Sequence, residues 1–338
     1  MPFANFPTES PMIIDVHAHY LPPILIDRFE SQRSRFPGVE VLKDDKGVRF
    51  RFPGTEPTRP VAPKLSDLND RKQWMAQNGI DHQLVGGWMD VYGYELPADQ
   101  GLAWSRYSNA CMKEATAGET RFTPLATVPL QDGKAAAQVL EESMADGFGG
   151  VMIGTMPQAT LDAAHLDPFW EAASRLNAGI FLHPMFPCDP RLDSFELQNA
   201  IGRIVDASVA VARLLFSGHL VKYPGVKLVL SHGGAALPFV LGRLARAFDI
   251  AHGKLADPKK GFEALYFDSI VFDRDAFEFL AKKAGTRRIL MGSDMPFPIG
   301  DLAPRKLVES MNYPAAERDA ILGGTAKSLF RIRPDCAC

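Results

Sequence analysis

The chain has 338 residues, of which 46% are hydrophobic, and its formal net charge is −3. The charge balance lacks the basic excess expected of a protein that binds nucleic acid or an acidic membrane surface. No apolar run approaches the roughly 20 residues needed to cross a bilayer, and Met1–Ser10 lacks the features of a signal peptide, so we expect a soluble cytoplasmic protein.

Short β-prone runs alternate along the chain with segments of helical periodicity. The predicted strands are Met12–Val16, His82–Val85, Phe122–Val128, Gly150–Ile153, Gly179–Leu182, Val226–Leu230, Leu265–Phe267 and Ile289–Met291. The predicted helices are Ser66–Asn78, Ala98–Ala117, Gly133–Asp146, Asp167–Asn177, Asn199–Lys222, Leu237–Ala251, Arg274–Ala284 and Ala315–Gly323. This alternation is typical of the α/β class and predicts a (β/α)8 (TIM) barrel, with residues 1–338 as a single domain.

An open, doubly wound α/β sheet is the alternative fold for the same alternation. That fold would need a Gly-rich phosphate-binding turn after the first strand. The first strand is followed instead by His17-Ala18-His19, which disfavours a nucleotide-binding sheet.

Residues 31–64 interrupt the alternation and are rich in Pro and Gly. Two β-prone runs, Val39–Leu42 and Val48–Phe52, flank the turn sequence Asp44–Gly47. This pattern predicts a small β-hairpin inserted after the first strand. Because the insertion follows the carboxyl end of a strand, it would lie on the catalytic face of a barrel.

Five side chains with metal or proton chemistry follow predicted strands. His17 and His19 directly follow the first strand, and if they continue it they face the same side, because strand residues two apart do so. His183 and Asp294 follow the fifth and eighth strands, and His232 follows the sixth. Three imidazoles and one carboxylate suit Zn²⁺, with Mn²⁺, Fe²⁺ or Co²⁺ as alternatives. Taken singly, each His could be an ordinary polar residue, and Asp294 could cap the next helix.

Four separated motifs occur in a characteristic order. They are Asp15-Val16-His17-Ala18-His19, His183-Pro184, Ser231-His232-Gly233-Gly234 and Gly292-Ser293-Asp294-Met295-Pro296-Phe297-Pro298. Through these motifs the chain resembles the amidohydrolase superfamily, and specifically its aminocarboxymuconate-semialdehyde decarboxylase-like branch. The resemblance extends from about Met12 to Arg331.

The resemblance implies a role for each matching position. The positions that match the metal ligands are His17, His19, His183 and Asp294. His232 matches the histidine that acts as general acid/base beside a metal-bound water. Many superfamily members hold a second ion through a lysine at the end of strand 4, but Gly150–Gly154 contains no lysine. One divalent ion is therefore expected.

Two arginines match positions that bind substrate carboxylates in this branch. Arg59 follows the hairpin insertion, and Arg243 lies eleven residues after His232. The second arginine comes from a neighbouring subunit in that family, which implies a homodimer. Trp88, in the loop after the second strand, is a third expected substrate contact. Guanidinium groups bind carboxylates through paired hydrogen bonds, so the expected partner is a small carboxylated molecule.

Two loops that would line the pocket depart from the semialdehyde enzyme, namely Gly86–Asp90 and Met185–Arg191. The substrate therefore stays open at this stage. We favour decarboxylation of an unsaturated or aromatic-derived acid, with His232 supplying the replacement proton. Hydrolysis of a carboxylated lactone, ester or amide is the alternative, and hydration of a double bond is a third. A catalytically inactive scaffold is disfavoured because every expected ligand and acid/base position is present.

Overall fold

The computed structural model describes residues 11–185 and 189–333. Met1–Ser10, where the sequence predicts no signal peptide, therefore lies outside the described residues. The strands are β1 (Ile14–His19), β2 (Glu40–Asp44), β3 (Gly47–Arg51), β4 (His82–Gly86), β5 (Phe122–Ala126), β6 (Gly150–Gly154), β7 (Gly179–His183), β8 (Lys227–Leu230), β9 (Leu265–Asp268) and β10 (Ile289–Leu290). The first ten helices are α1 (Pro23–Gln32), α2 (Pro63–Ser66), α3 (Leu68–Gln77), α4 (Ala98–Ala115), α5 (Gly133–Ala145), α6 (Asp167–Leu176), α7 (Arg203–Phe216), α8 (His219–Lys222), α9 (Leu237–Ile250) and α10 (Pro258–Phe262). The last four are α11 (Arg274–Ala284), α12 (Pro304–Ser310), α13 (Ala315–Asp319) and α14 (Thr325–Leu329).

Eight parallel strands form the barrel, in the order β1-β4-β5-β6-β7-β8-β9-β10. The segment that follows β10 closes the ring against β1. The amide of Val16 donates to the carbonyl of Met291 at 3.0 Å, and the amide of His19 donates to Met295 at 2.8 Å. The predicted (β/α)8 barrel is confirmed.

The barrel strands are buried on both faces. Every residue of β4, β5, β6 and β7 is buried, because helices cover the outside while side chains fill the inside. The sequence shows this as short, nearly continuous apolar runs such as Val151-Met152-Ile153. A buried polar group in this core is costly unless it has a hydrogen-bond partner. The polar side chains at the strand ends therefore need such partners.

The predicted hairpin is also confirmed. Strands β2 and β3 pair antiparallel from Glu40 with Arg51 to Asp44 with Gly47. Gly47 has a φ of +102°, which a residue without a Cβ adopts at low cost. Apolar side chains of the insertion, including Phe50, pack with the buried Trp104 of α4 in a cluster beside the barrel. Helix α1, which the sequence analysis did not predict, precedes this hairpin.

The predicted helix Asn199–Lys222 is wrong in its continuity. Helix α7 ends at Phe216, and the short helix α8 begins at His219. Gly218 separates them with a φ of +76°, a left-handed conformation that ends helices.

Three further short helices, α2, α10 and α12, have a proline in the first turn. Proline fits that position because it lacks an N–H, and the first N–H groups of a helix have no partner within the helix.

None of the helices in the described ranges is long and apolar enough to cross a membrane.

Candidate metal centre and active-site cavity

Four buried side chains meet at the carboxyl ends of the barrel strands. One ligand atom from each of His17, His19, His183 and Asp294 lies within 4.8 Å of the others. The Nε2 atoms of His17 and His19 are 3.3 Å apart. Oδ1 of Asp294 lies 3.3 Å from His17 Nε2 and 3.2 Å from His19 Nε2. The structure therefore brings together the four residues that the sequence analysis selected as metal ligands.

The three imidazoles of the cluster are held in the same way. Each is held at Nδ1 by an oxygen, which leaves Nε2 turned toward the cluster. The partners are Asp268 Oδ2 for His17 at 2.7 Å, the Gly87 carbonyl for His19 at 3.0 Å and the Pro184 carbonyl for His183 at 2.8 Å. A hydrogen bond at the far ring nitrogen fixes the tautomer and orientation of a metal-binding histidine.

Two atoms of the cluster are buried without a hydrogen-bond partner among residues 11–185 and 189–333, namely Nε2 of His183 and Oδ1 of Asp294. Leaving such an atom unsatisfied costs about 1–3 kcal/mol, and a cation would satisfy both. Burial lowers the pKa of His19 and of His183, and a histidine must be neutral to bind a metal. The donor set fits a divalent metal ion.

Charges inside the cluster are strongly coupled. Burial alone would raise the pKa of Asp294, but the adjacent His17, His19 and His232 together outweigh burial and hold this pKa well below its usual range. Burial alone would lower the pKa of His17, but Asp294 and Asp268 raise it to about 10. Asp294 therefore stays a carboxylate, and a bound cation would take the place of the proton on His17.

A buried polar network supports β1 and the segment after β10. Asp15 accepts hydrogen bonds from the Ser293 amide at 3.0 Å, from the Ser293 hydroxyl at 2.5 Å and from Gln83 Nε2 at 2.7 Å. Arg71 donates to Gln83 at 2.8 Å and to the carbonyl of His19. Burial lowers the pKa of Arg71 to about 10. This network connects His19 with the residue that precedes Asp294.

His232 stands beside the cluster and faces a cavity. Its Nε2 lies 3.6 Å from Oδ2 of Asp294, and 14% of its side chain is exposed. His232 and Ala235 both have positive φ, and such strained conformations cluster at functional sites. The amide of Gly233 donates to Asp268 at 2.8 Å and so fixes the turn that presents His232. The position suits a group that transfers protons to a molecule in the cavity.

The cavity has a volume of about 540 Å³, which fits a small aromatic or unsaturated acid. The titratable residues of its described wall are Arg59, His183, Glu196, Arg203, His232 and Asp294, and Phe297 adds an aromatic ring. The wall therefore contains two residues of the four-residue cluster, His183 and Asp294, together with His232 and two guanidinium groups.

Of the three predicted substrate contacts, Arg59 lines the cavity, and it contacts a carboxylate of its own chain. Its Nε and Nη2 atoms lie 3.2–3.3 Å from the Asp90 oxygens. Trp88 is not among the described residues of the cavity wall. It is buried, and its ring centroid lies 5.8 Å from Cζ of Arg59. Arg243 is exposed on α9 and is likewise absent from the described wall of its own chain's cavity.

Two residues of this region were missed by the sequence analysis. Asp268 ends β9, so the rule that functional residues occupy the carboxyl ends of barrel strands could have found it. Arg203 begins α7 and lies inside the longer predicted helix Asn199–Lys222. No local sequence signal distinguishes it from the other arginines of the chain.

The chain is similar to one protein family and to several decarboxylases. A family model described as amidohydrolase matches residues 14–332. The chain is 27% identical over 288 residues to the 2-amino-3-carboxymuconate-6-semialdehyde decarboxylase of Dictyostelium discoideum, covering 82% of this chain and 80% of that protein. It is 28% identical over 326 residues to the gamma-resorcylate decarboxylase of Polaromonas sp. strain JS666, covering 88% and 96%.

Two solved structures share the fold. The 5-carboxyvanillate decarboxylase LigW of Sphingomonas paucimobilis matches with a TM-score of 0.80 at 22% identity, covering 96% of this chain and 100% of that one. The dihydroxybenzoic acid decarboxylase of Polaromonas sp. JS666, solved with bound manganese and the inhibitor 2-nitroresorcinol, matches with a TM-score of 0.76 at 22% identity, covering 96% and 98%.

Proposed function

This chain belongs to the amidohydrolase family, in the branch that includes 2-amino-3-carboxymuconate-6-semialdehyde decarboxylase, and we propose that it is a metal-dependent decarboxylase of a small aromatic or unsaturated acid. The observation that carries this proposal is a cluster of three imidazoles and one carboxylate, of which His183 and Asp294 line one cavity together with His232. The relatives described above act by decarboxylation according to their names. None of them is named as a hydrolase, so hydrolysis of a lactone, ester or amide is not favoured.

One divalent ion is part of this proposal. Its ligands would be His17, His19, His183 and Asp294. Zn²⁺ is the ion we propose, because three nitrogen donors and one carboxylate suit it. Mn²⁺ is the alternative, since two related decarboxylases were solved with manganese. When bound, the ion would supply Lewis acidity beside the substrate carboxylate.

His232 is the proposed proton donor. Decarboxylation breaks the bond between the ring or chain carbon and the carboxylate carbon, and the electron pair stays on the former as carbon dioxide leaves. A proton must then reach that carbon. His232 lies on the cavity wall and beside Asp294, so its imidazolium can donate this proton and regain one from solvent. General acid help of this kind is typically worth about 10²–10⁴-fold in rate.

Arg59 is proposed to orient the acidic substrate, and Trp88 to support Arg59. The guanidinium of Arg59 lies within 6 Å of the ring centroids of Trp88 and Phe297, close enough for cation–π attraction. Contact with Asp90 further fixes it. The proposed role of Trp88 is therefore to hold Arg59 at the cavity rim, and direct contact of Trp88 with the substrate stays a prediction.

A homodimer with Arg243 reaching across the interface completes the proposal. Helices α7 and α9 contact each other, and both expose apolar side chains, among them Val205, Val209 and Phe239, the last of which is 81% exposed. Contiguous exposed apolar surface marks interaction sites. Arg243 is exposed on α9, so a second copy covering this face would contact it. The cytoplasmic location expected from the sequence stays a prediction.

Product analysis tests the proposed reaction. Metal-loaded protein is incubated with carboxylated ring-cleavage products, hydroxybenzoates and lactones that carry a ¹³C-labelled carboxylate. We expect the release of labelled carbon dioxide and a product whose mass is lower than that of the substrate by the mass of carbon dioxide. The His232→Ala variant, loaded with the same metal, serves as the control. A product that keeps every carbon and gains one water would show hydrolysis or hydration and overturn the proposal.

A further inference from the structure

Asp206 is a buried carboxylate in the first turn of α7, and only 7% of the residue is exposed. Its Oδ2 accepts a hydrogen bond from the amide of Met185 at 2.8 Å and another from the hydroxyl of Thr155. Burial raises the pKa of Asp206, while its hydrogen bonds and the nearby Arg203 favour the carboxylate form. Thr155 follows β6 and Met185 lies just after β7, so Asp206 joins the carboxyl ends of two neighbouring strands.

The peptide unit between Pro184 and Met185 has a side-chain partner on each of its polar edges. Its N–H belongs to Met185 and donates to Asp206. Its carbonyl belongs to Pro184 and accepts from Nδ1 of His183 at 2.8 Å and from Nη1 of Arg203 at 3.1 Å. A peptide unit is planar, so an anchor on the N–H also fixes the direction in which the carbonyl points.

This carbonyl sets the orientation of the His183 ring. A carbonyl can only accept, so Nδ1 of His183 carries the proton and Nε2 keeps its electron pair. That Nε2 is buried and has no hydrogen-bond partner in the described part of the chain, which fits an atom that coordinates a metal ion. A carboxylate on the N–H side polarises the peptide unit and strengthens its carbonyl as an acceptor, because linked hydrogen bonds reinforce one another.

His17 and His183 are therefore supported in two different ways. Asp268 lies directly beside Nδ1 of His17 at 2.7 Å, whereas one peptide unit stands between Asp206 and His183. Partners of this kind fix the tautomer of a metal-binding histidine and raise its basicity.

We propose that Asp206 is a positioning residue for the metal ligand His183, and that it acts through the peptide unit between Pro184 and Met185. It fixes the direction of the Pro184 carbonyl, and this carbonyl holds the imidazole with Nε2 toward the cluster. The inference rests on the proposed function in taking His183 as a metal ligand. Loss of Asp206 then weakens metal binding although no ligand atom is removed.

The metal affinity of the folded protein is the first readout. Competition with a chromogenic chelator gives the dissociation constant of Zn²⁺ for each variant. We expect Asp206→Ala, which removes the acceptor, to weaken Zn²⁺ binding by about 10- to 100-fold. Leu214→Ala is the matched control, because Leu214 is fully buried on the same helix and lies about two turns beyond Asp206. It should destabilise the fold and still bind Zn²⁺ like the wild type.

The tautomer of His183 is the second readout, and it needs no metal. Two-dimensional ¹H–¹⁵N spectra of the metal-free protein, labelled at histidine, distinguish a proton on Nδ1 from one on Nε2. The signal that disappears in His183→Gln identifies this residue. We expect the Nδ1–H form in the wild type and in Leu214→Ala, and a mixture of both forms in Asp206→Ala. General destabilisation would not change the tautomer of a single histidine.

A merely structural role for Asp206 predicts different results. Unchanged Zn²⁺ affinity in Asp206→Ala, or a wild-type tautomer of its His183, would overturn the proposal, and so would an equal loss of affinity in Leu214→Ala. If Asp206→Ala fails to fold, Asp206→Asn decides. Its amide oxygen can still accept from Met185, but a neutral acceptor is weaker than a carboxylate. We expect Zn²⁺ affinity to fall by roughly 3-fold, and an unchanged affinity would contradict the assignment.

The two readouts separate this inference from the proposed reaction. A Zn²⁺ affinity and a His183 tautomer that depend on Asp206, without carbon dioxide release from any acid, would leave the inference intact and overturn the decarboxylase. Carbon dioxide release with neither readout dependent on Asp206 would do the reverse.

Discussion

Nδ1 of His17 lies 2.7 Å from Oδ2 of Asp268, and both side chains are fully buried. The other carboxylate oxygen of Asp268 accepts from the amides of Gly233 at 2.8 Å and Ile270 at 3.1 Å. One carboxylate therefore orients a proposed metal ligand and also fixes the turn that carries His232. Such outer partners of metal-binding histidines tune both the geometry and the basicity of the ligand.

Replacing Asp268 with Asn tests this coupling. The variant keeps the shape of the side chain but removes its charge, so His17 loses its anionic partner. We expect metal affinity to fall by about 10- to 100-fold, as measured by competition with a chromogenic chelator. Asp273→Asn is the control, since Asp273 is exposed and only caps α11. Equal metal affinity in the two variants would contradict a supporting role for Asp268.

Asp294→Ala should abolish stoichiometric metal binding. The substitution removes the only carboxylate of the four-residue cluster and leaves three imidazoles to hold a dication. Metal content per chain, measured by inductively coupled plasma mass spectrometry after dialysis, is the readout. Asp275→Ala on the exposed face of α11 should retain full metal content. Full retention in Asp294→Ala would remove this residue from the ligand set.

His232→Ala should separate metal binding from catalysis. His232 lies beside Asp294 but does not belong to the cluster of four. We expect metal content near that of the wild type and a fall in kcat of about 10²- to 10⁴-fold, the usual value of a general acid or base. A parallel loss of metal and activity would reassign His232 as a ligand.

Mixing two inactive variants tests the proposed dimer. In a hybrid of Arg243→Ala and His232→Ala chains, one site has His232 from one subunit and Arg243 from its partner. If Arg243 acts across the interface, random exchange between equal amounts restores roughly a quarter of the wild-type sites. Activity is measured before and after subunit exchange. Exchange without recovery would show that Arg243 serves its own chain or has no role in the reaction.

Arg71→Met should destabilise the barrel. Arg71 is fully buried, and it donates to Gln83, which in turn donates to the buried Asp15. Removing one member of a buried charged network typically costs about 3–5 kcal/mol, because its partners stay buried without compensation. Urea unfolding measures the free energy. Arg106→Met, which breaks a surface pair with Glu142, should cost less than about 1 kcal/mol. Equal costs would mean that the network contributes no more than a surface pair.

The sequence predicted the barrel because its strands leave a strong local signal. Runs such as Val151-Met152-Ile153 are buried on both faces, so their hydrophobicity is nearly continuous. The helices were predicted less accurately. The break at Gly218 was missed because the residues on both sides of it keep helical periodicity, while the glycine adopts a left-handed conformation.

The sequence by itself determined which side chains could reach the metal centre. In a parallel barrel all strands end at the same face, so His17, His183 and Asp294 could be assigned once the strands were recognised. Only the tertiary structure decided what surrounds them. Asp268 lies beside His17 across 251 positions of sequence, and Arg203 at the start of α7 donates to the carbonyl of Pro184, which follows β7. Packing between distant segments determines such partners, and no local pattern in the sequence indicates them.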